Sequence, residues 1–182
     1  MQDASDRSLV LRTRDGDRKA YGELVERYQA SVFNVCLRMM GERREAEDSM
    51  QDAFLRAHAR LETFDEERPF GPWIRRVAAN LCLNRLKAHR SEPLPLEHVV
   101  DRVHQSSAAL PERAAIEHER QLRIRQAILE LPAHYRAVIE LRHFQELSYA
   151  EISSELGIPL SDVKSHLFRA RKMLAKELDA NV

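Results

Sequence analysis

Three sets of side chains in this sequence have the types and spacing that chemistry could use. Between Asp162 and Glu177 no acid occurs, while Lys164, Arg169, Arg171, Lys172 and Lys176 all fall in that interval. A one-signed run repels itself and is costly unless an anion is the intended neighbour. From Pro69 to Ser91 acids are again absent, and Arg75, Arg76, Arg85, Lys87 and Arg90 are present. Within that stretch Trp73, Arg76, Asn80, Asn84 and Lys87 stand at offsets 0, 3, 7, 11 and 14, which places them on one face of a helix. Basic side chains contact phosphates, Asn can hydrogen-bond base edges, and Trp can stack on an unpaired base. Trp73 reads equally well as a core anchor, but Asn is a poor interior helix former and needs a reason to be there. The third set is Glu45, Asp48 and Asp52, at i, i+3 and i+7, with Arg56 four residues beyond. No His joins these carboxylates at ligand spacing. They read as a solvated face or a protein-docking patch, not as an acid–base pair or a metal site.

The element that must carry the first set is a pair of helices around a tight turn, LSYAEISSELGIPLSDVKSHLFRARKML. Ser148 is placed to cap the first helix, Glu151 three residues on completes a capping box, and Ile152 and Leu156 share one face. Gly157 supplies a position where positive φ costs little, and Pro159 forbids the first helix from continuing. A second helix is expected to open at Ser161 as N-cap, with Asp162 in the first turn where the macrodipole favours an acid. Val163, Leu167, Ala170 and Leu174 form its apolar stripe. Ser161, Lys164, Ser165, Phe168, Arg169, Arg171 and Lys172 remain on the other faces. This is the layout of a helix-turn-helix whose second helix enters a major groove.

Composition bounds the rest. With 182 residues the chain has room for one domain or two small ones. Only 5 Gly and 6% aromatics, among many Leu, Ala, Arg and Glu, point to an all-α protein. Lys+Arg of 29 equals Asp+Glu of 29, so charge is segregated along the chain instead of being in excess, which suggests separate acid-facing and base-facing partners. Cys36 and Cys82 belong to no CxxC or His/Cys cluster and read as buried free thiols of a reducing cytoplasm. No cofactor or metal is expected. The N-terminus lacks a signal pattern and no apolar run approaches the ~20 residues that span a bilayer, so a cytoplasmic protein without membrane insertion is expected.

Along the chain, apolar positions from Ala20 to Met39 recur every three or four residues, predicting a helix over 17–40 that Gly41 ends. A second helix over 43–61 buries Ala46, Met50, Ala53, Phe54, Ala57 and Leu61. TFDEERPFGP, 63–72, breaks the period and reads as a loop, and a third helix is expected from Pro72 or Trp73. Residues 91–111 contain three prolines and two adjacent serines and read as a tether. The expected organisation is therefore an N-terminal domain over 1–90, a flexible linker over 91–111, and a C-terminal helix-turn-helix domain over 112–182.

Taken together, AEDSMQDAFLRAHARL, FGPWIRRVAANLCLNRLK and LPAHYRAVIELRHFQELSYAEISSELGIPLSDVKSHLFRARKML, in this order, resemble the ECF (extracytoplasmic function) group of bacterial RNA polymerase sigma factors. The resemblance implies a non-enzymatic factor that directs core polymerase to promoters and helps melt the −10 region. It implies docking of Glu45, Asp48 and Asp52 on the β′ clamp helices, with the β flap as a further contact. Phe64, Phe70, Trp73, Arg76, Asn80, Asn84 and Lys87 would serve −10 capture and melting, and the recognition helix would read the −35 element. Where the family often has Gly-x-Ser-x-Phe, this chain has Glu67-Arg68-Pro69-Phe70, and Pro69 lacks an N–H. With no further C-terminal domain expected, control would come from a separate anti-sigma factor. Read from the residues alone, a stand-alone helix-turn-helix regulator remains the alternative.

Overall fold

The computed structural model describes residues 4–91 and 112–179. The expected tether therefore lies, from 92 to 111, outside the described residues. What is described is helical throughout: α1 (Asp6–Arg14), α2 (Arg18–Met40), α3 (Arg43–Ala59), a 3₁₀ turn (Leu61–Thr63), α4 (Phe70–Ser91), α5 (Glu112–Glu130), α6 (Ala133–Ile139), α7 (Tyr149–Leu156) and α8 (Leu160–Asp179). Between α6 and α7 a π turn over Glu140–Phe144 extends α6.

The caps explain where the first helices begin. Asp17 accepts from the N–H groups of Lys19 and Ala20, and α2 runs from there to Gly41, at φ 87°, as the periodicity requires. Glu42 caps α3 by accepting from Arg44 and Glu45 N–H at 2.8 and 2.7 Å. α4 opens at Phe70, so Pro72 sits in the first turn, where its missing N–H leaves no gap. α1 was not expected from the sequence. It is short, capped by Ser5, and held by Leu9 and Val10, both fully buried. Its last residue, Arg14, reaches across to donate to Leu61 O at 2.9 Å, to Phe64 O, and to Glu66 at 2.9 Å. One guanidinium thus fixes the entry to the 64–69 loop.

α2, α3 and α4 pack on one another around Leu24, Val32, Val35, Ala53, Ile74, Ala78 and Leu81. Burying each large aliphatic side chain there contributes about 1.5–3 kcal/mol. Cys36 on α2 and Cys82 on α4 are both buried and free. Their mutual hydrogen bond, with burial, pushes the Cys36 thiol far up from its ordinary value. The C-terminal helices pack as α6, α7 and α8 around Val138, Leu141, Ile152, Val163 and Leu167.

The two helical halves also share a seam. Leu131, Ala133, Ala137, Val138, Ile139 and Leu141 are continuous with the buried residues of the N-terminal half. Arg38 of α2 grips Glu140 with two hydrogen bonds, at 2.7 and 2.9 Å, and Glu140 is only 2% exposed. Arg136 donates to Met39 O, Gln145 reaches Arg75 O at 3.4 Å, and Leu129 packs against the bare Cα of Gly41. Linker-joined halves are thus also docked halves.

Candidate nucleic-acid interface

The helix-turn-helix forms as its local chemistry dictates. Glu151 N–H donates to Ser148 Oγ at 3.2 Å, and Ser148 N–H to Glu151 Oε2 at 2.8 Å, closing the capping box. The Ser148 hydroxyl first, and the Ser148 backbone N–H second, hold the Glu151 carboxyl below its ordinary value. Gly157 turns the chain at φ 63° in the left-handed region. α8 then opens at Leu160, with Val163 N–H already bonded to Pro159 O at 3.1 Å. Ser161 is therefore inside the first turn and not the N-cap expected of it: Pro159 had already set the backbone for helix entry.

On α8, Val163, Leu167 and Ala170 are buried against α6 and α7. Ser161, Lys164, Ser165, Phe168, Arg169, Arg171 and Lys172 are all exposed, and Phe168 is 69% exposed. Arg169 also bonds the Tyr135 hydroxyl of α6, which favours its charged form. The whole face is open and basic.

The α4 face is built differently. Trp73, Arg76, Asn80, Asn84 and Lys87 all line one cleft of about 510 Å³. Arg56 of α3, Arg60 just past its end and Arg68 of the 64–69 loop line it too. Sequence reading set Arg56 beside the α3 acids and singled out neither Arg60 nor Arg68, because only the fold brings them to α4. The opposite wall is α7, through Glu155 and Leu156. Glu155 Oε1 accepts from Asn80 Nδ2 at 2.5 Å, and its other oxygen lies 3.6 Å from Arg76 Nε. A single carboxylate thus faces a cleft of cations.

Trp73 is half-buried, with its ring 4.5 Å from that of Phe64 and 5.4 Å from that of Phe70. It is anchored in the core and still edges the cleft. Phe64 and Phe70 are a correction to the expected base-capture set: they are 6% and 0% exposed. With Tyr28 and Trp73 they form an aromatic cluster in which Phe70 meets Tyr28 at 5.5 Å. Their faces are occupied by neighbouring rings and are not offered to a base.

On α3 the acidic set is not uniform. Asp48 is exposed and Glu45 half-buried. Asp52 is ion-paired with Arg85 of α4, which also donates to buried Ser49 at 2.7 Å. Arg85 is therefore turned away from the cleft and stitches α4 to α3. Leu55 is 69% exposed and follows Asp48 and Asp52 along the same face. It was missed because the apolar stripe was read only as core.

Comparison with known proteins agrees with this architecture. The Sigma-70 region 2 family model matches residues 24–92, and the Sigma-70, region 4 model matches 121–174. The chain is 34% identical over 180 residues to the ECF RNA polymerase sigma factor SigW of Bacillus subtilis, covering 93% of this chain and 94% of that one. It is 32% identical over 179 residues to the ECF RNA polymerase sigma-E factor of Escherichia coli K12, covering 93% and 92%. Among solved structures it resembles CnrH in complex with the cytosolic domain of CnrY, with a TM-score of 0.62 and 25% identity over 98% of this chain and 100% of that one. It shares the fold of RpoE from Bartonella quintana, solved with the anti-sigma factor NepR, at a TM-score of 0.65 and 18% identity over 90% and 99%. With a region 2 match on the half that carries the α4 cleft and a region 4 match on the half that carries the open α8 face, the chain belongs to the ECF group of RNA polymerase sigma factors.

Proposed function

We propose that this sigma factor joins core RNA polymerase through α3, reads the −35 element with α8, and holds the opened −10 strand along α4. The observation that carries the reading is the presence of two acid-free basic helix faces in one chain, α4 and α8, one lining a cleft and one open. An open convex helix suits a duplex groove; a recessed cleft edged by Trp73 and lined by Asn suits a single strand. Phosphate contacts from Lys164, Arg171 and Lys172 position α8, and base contacts, with Arg169 among them, specify it. Each good base contact adds about 1–3 kcal/mol of discrimination.

On the α4 side, Arg76 and Lys87, joined by Arg56, Arg60 and Arg68, would follow the backbone. Asn80 and Asn84 would meet base edges, and Trp73 would stack. Opening duplex costs a few kcal/mol per unstacked base, which a prepared stacking surface offsets in part. Asp48 and Leu55, with Asp52 and Glu45 beside them, make an acidic face with an apolar centre for the polymerase, on the β′ clamp helices, while the C-terminal half meets the β flap. Nothing in this scheme turns over a substrate: the factor acts by binding, in the cytoplasm where the polymerase works. An anti-sigma factor is the expected inhibitor: RpoE was solved with the anti-sigma factor NepR, and CnrH with the cytosolic domain of CnrY.

The test is transcription from a genomic fragment library by core polymerase, with and without the protein. New start sites that share two spaced upstream motifs are expected. Absence of new starts with active polymerase, together with tight duplex binding by the factor alone, would replace this reading with a stand-alone regulator.

A further inference from the structure

We infer that Arg14 is a positioning residue for base selection at the −10 element: it sets the shape of the 64–69 loop where that loop borders the α4 cleft. The inference rests on the reading of the cleft as a strand-binding site. Arg68 of this loop lines the cleft together with Trp73, so the loop is part of the wall that a strand would meet. Phe64 and Phe70 are turned into the core and anchor its two ends. Between them Asp65, Glu67, Arg68 and Pro69 are exposed, and Pro69 has no N–H with which to tie itself down. Within the turn, Arg68 N–H donates to Asp65 O at 3.0 Å and Glu67 N–H to Asp65 Oδ1 at 3.2 Å.

The hold on the middle of the loop comes from outside it. Arg14 donates through Nε and one η nitrogen to Leu61 O, at 3.1 and 2.9 Å, through the same η nitrogen to Phe64 O, and through the other to Glu66 at 2.9 Å. Its side chain is only 17% exposed, so these charge-assisted bonds are poorly screened. The helix that carries it is itself fixed: Leu9 and Val10 are fully buried, and Asp6 accepts from Arg27 at 2.5 Å and from the Tyr28 hydroxyl, both on α2. Electrostatics points the same way. Asp65, Glu66 and Glu67 are successive carboxylates at the edge of a site for a polyanion, and uncompensated they would repel it. Arg68, Arg14 and Arg7 pair with them in that order, at 3.2, 2.9 and 2.6 Å. The Arg68 and Arg7 pairs are more than half exposed and hold little. Arg14 is the shielded one, and so the one that fixes geometry. It also lies ahead of the residues 24–92 that the region 2 model matches, so that match assigns it no role.

The test uses holoenzyme formed with core polymerase and a pool of fork templates, duplex and randomised at −35, single-stranded and randomised at −10. Bound templates are sequenced, so base preference is read independently of the active fraction of each protein. Arg14→Gln, which removes the charge and the fork, should flatten the preference at one −10 position by about fivefold or more, the discrimination of a single base contact, and leave the −35 preference as in wild type. Arg14→Lys should flatten it too, because a point charge does not replace a planar fork shared by two carbonyls and a carboxylate. Glu66→Gln keeps the carbonyl contacts and should flatten it less. A merely structural role would lower the yield of bound template and leave the base ratios unchanged at both elements. That result, or equal flattening at −10 and −35, overturns the inference while the strand reading stands. Should Arg14→Gln lose far-UV helicity, Arg14→Lys carries the test. If wild type selects bases at −35 but none at −10, the reading of the cleft as a base-selecting strand site falls, and the inference falls with it.

Discussion

The α4 and α8 faces carry the same signal in sequence, a run of cations without an acid, and the fold treats them in opposite ways. α8 buries a three-residue stripe and leaves Ser161, Lys164, Ser165, Arg169, Arg171 and Lys172 open to water. α4 is walled by Arg56, Arg60 and Arg68 on one side and by Glu155 on the other, and it surrenders Arg85 to Asp52. A duplex can be met by a convex surface with no preparation. A single strand must be taken from its partner, and a recessed site can be withheld. Charge patterning therefore identifies both surfaces, but only tertiary packing separates the open one from the recessed one.

The largest expected effect tests where the cleft ends and the core begins. Phe70→Ala should cost about 3–5 kcal/mol of stability in urea unfolding, because it empties a fully buried ring site beneath Trp73. Loss of promoter opening without loss of stability would return Phe70 to the strand face. Next is the contrast between the faces themselves. Arg169→Ala should weaken holoenzyme binding by about 1–3 kcal/mol if it contacts a base, equally on duplex and pre-melted promoter. Lys87→Ala should act on the pre-melted template as well, and it should lower the salt slope by about 1. Identical salt and template profiles for the two variants would erase the distinction drawn here.

A smaller effect separates the acids of α3. Asp52→Asn should lower stability by up to about 1 kcal/mol, since its pair with Arg85 is partly exposed. Asp48→Arg should leave the urea midpoint in place and weaken binding to core polymerase. Equal loss of stability from both would mean that the face is structural throughout. The smallest effect is on the cap of α7. The Glu151 carboxyl titrates below its ordinary 4.5, so the stability it adds is complete above 4.5 and is lost as pH falls through the lower folded value. Glu151→Gln should flatten that part of an acid-denaturation profile, which circular dichroism would follow.

How much of this could be read in advance depended on sequence distance. The capping box at Ser148 and Glu151, the turn at Gly157 and the five-residue face of α4 lie within a few helical turns, and their periodicity decides them. α1 was too short to show a period. Phe64 and Phe70 sit in a segment rich in prolines and charge, and only the rings of Tyr28 on α2 and of Trp73, one turn along α4, make that segment a core. The contacts that join the two halves link partners 75 residues apart for Asn80 and Glu155, and 102 apart for Arg38 and Glu140. No local pattern announces such pairs. The prominent acids of α3 were visible because they are regular, whereas Glu155 is one of two acids on a short helix, and only the fold brings it to Asn80 and Arg76.

The buried Arg38–Glu140 pair has a thermal consequence. Two ions withdrawn from water hold a joint in register but add little net strength to it, because each is fully rehydrated when the joint parts. The hydration given up on closing also becomes less favourable to keep as temperature rises, so warming lowers the cost of burying the pair. A seam made only of leucines would tighten on warming through hydration entropy alone. In this one the ion pair adds to that response, so the joint between the halves should hold better with heat across the range where the helices stay folded.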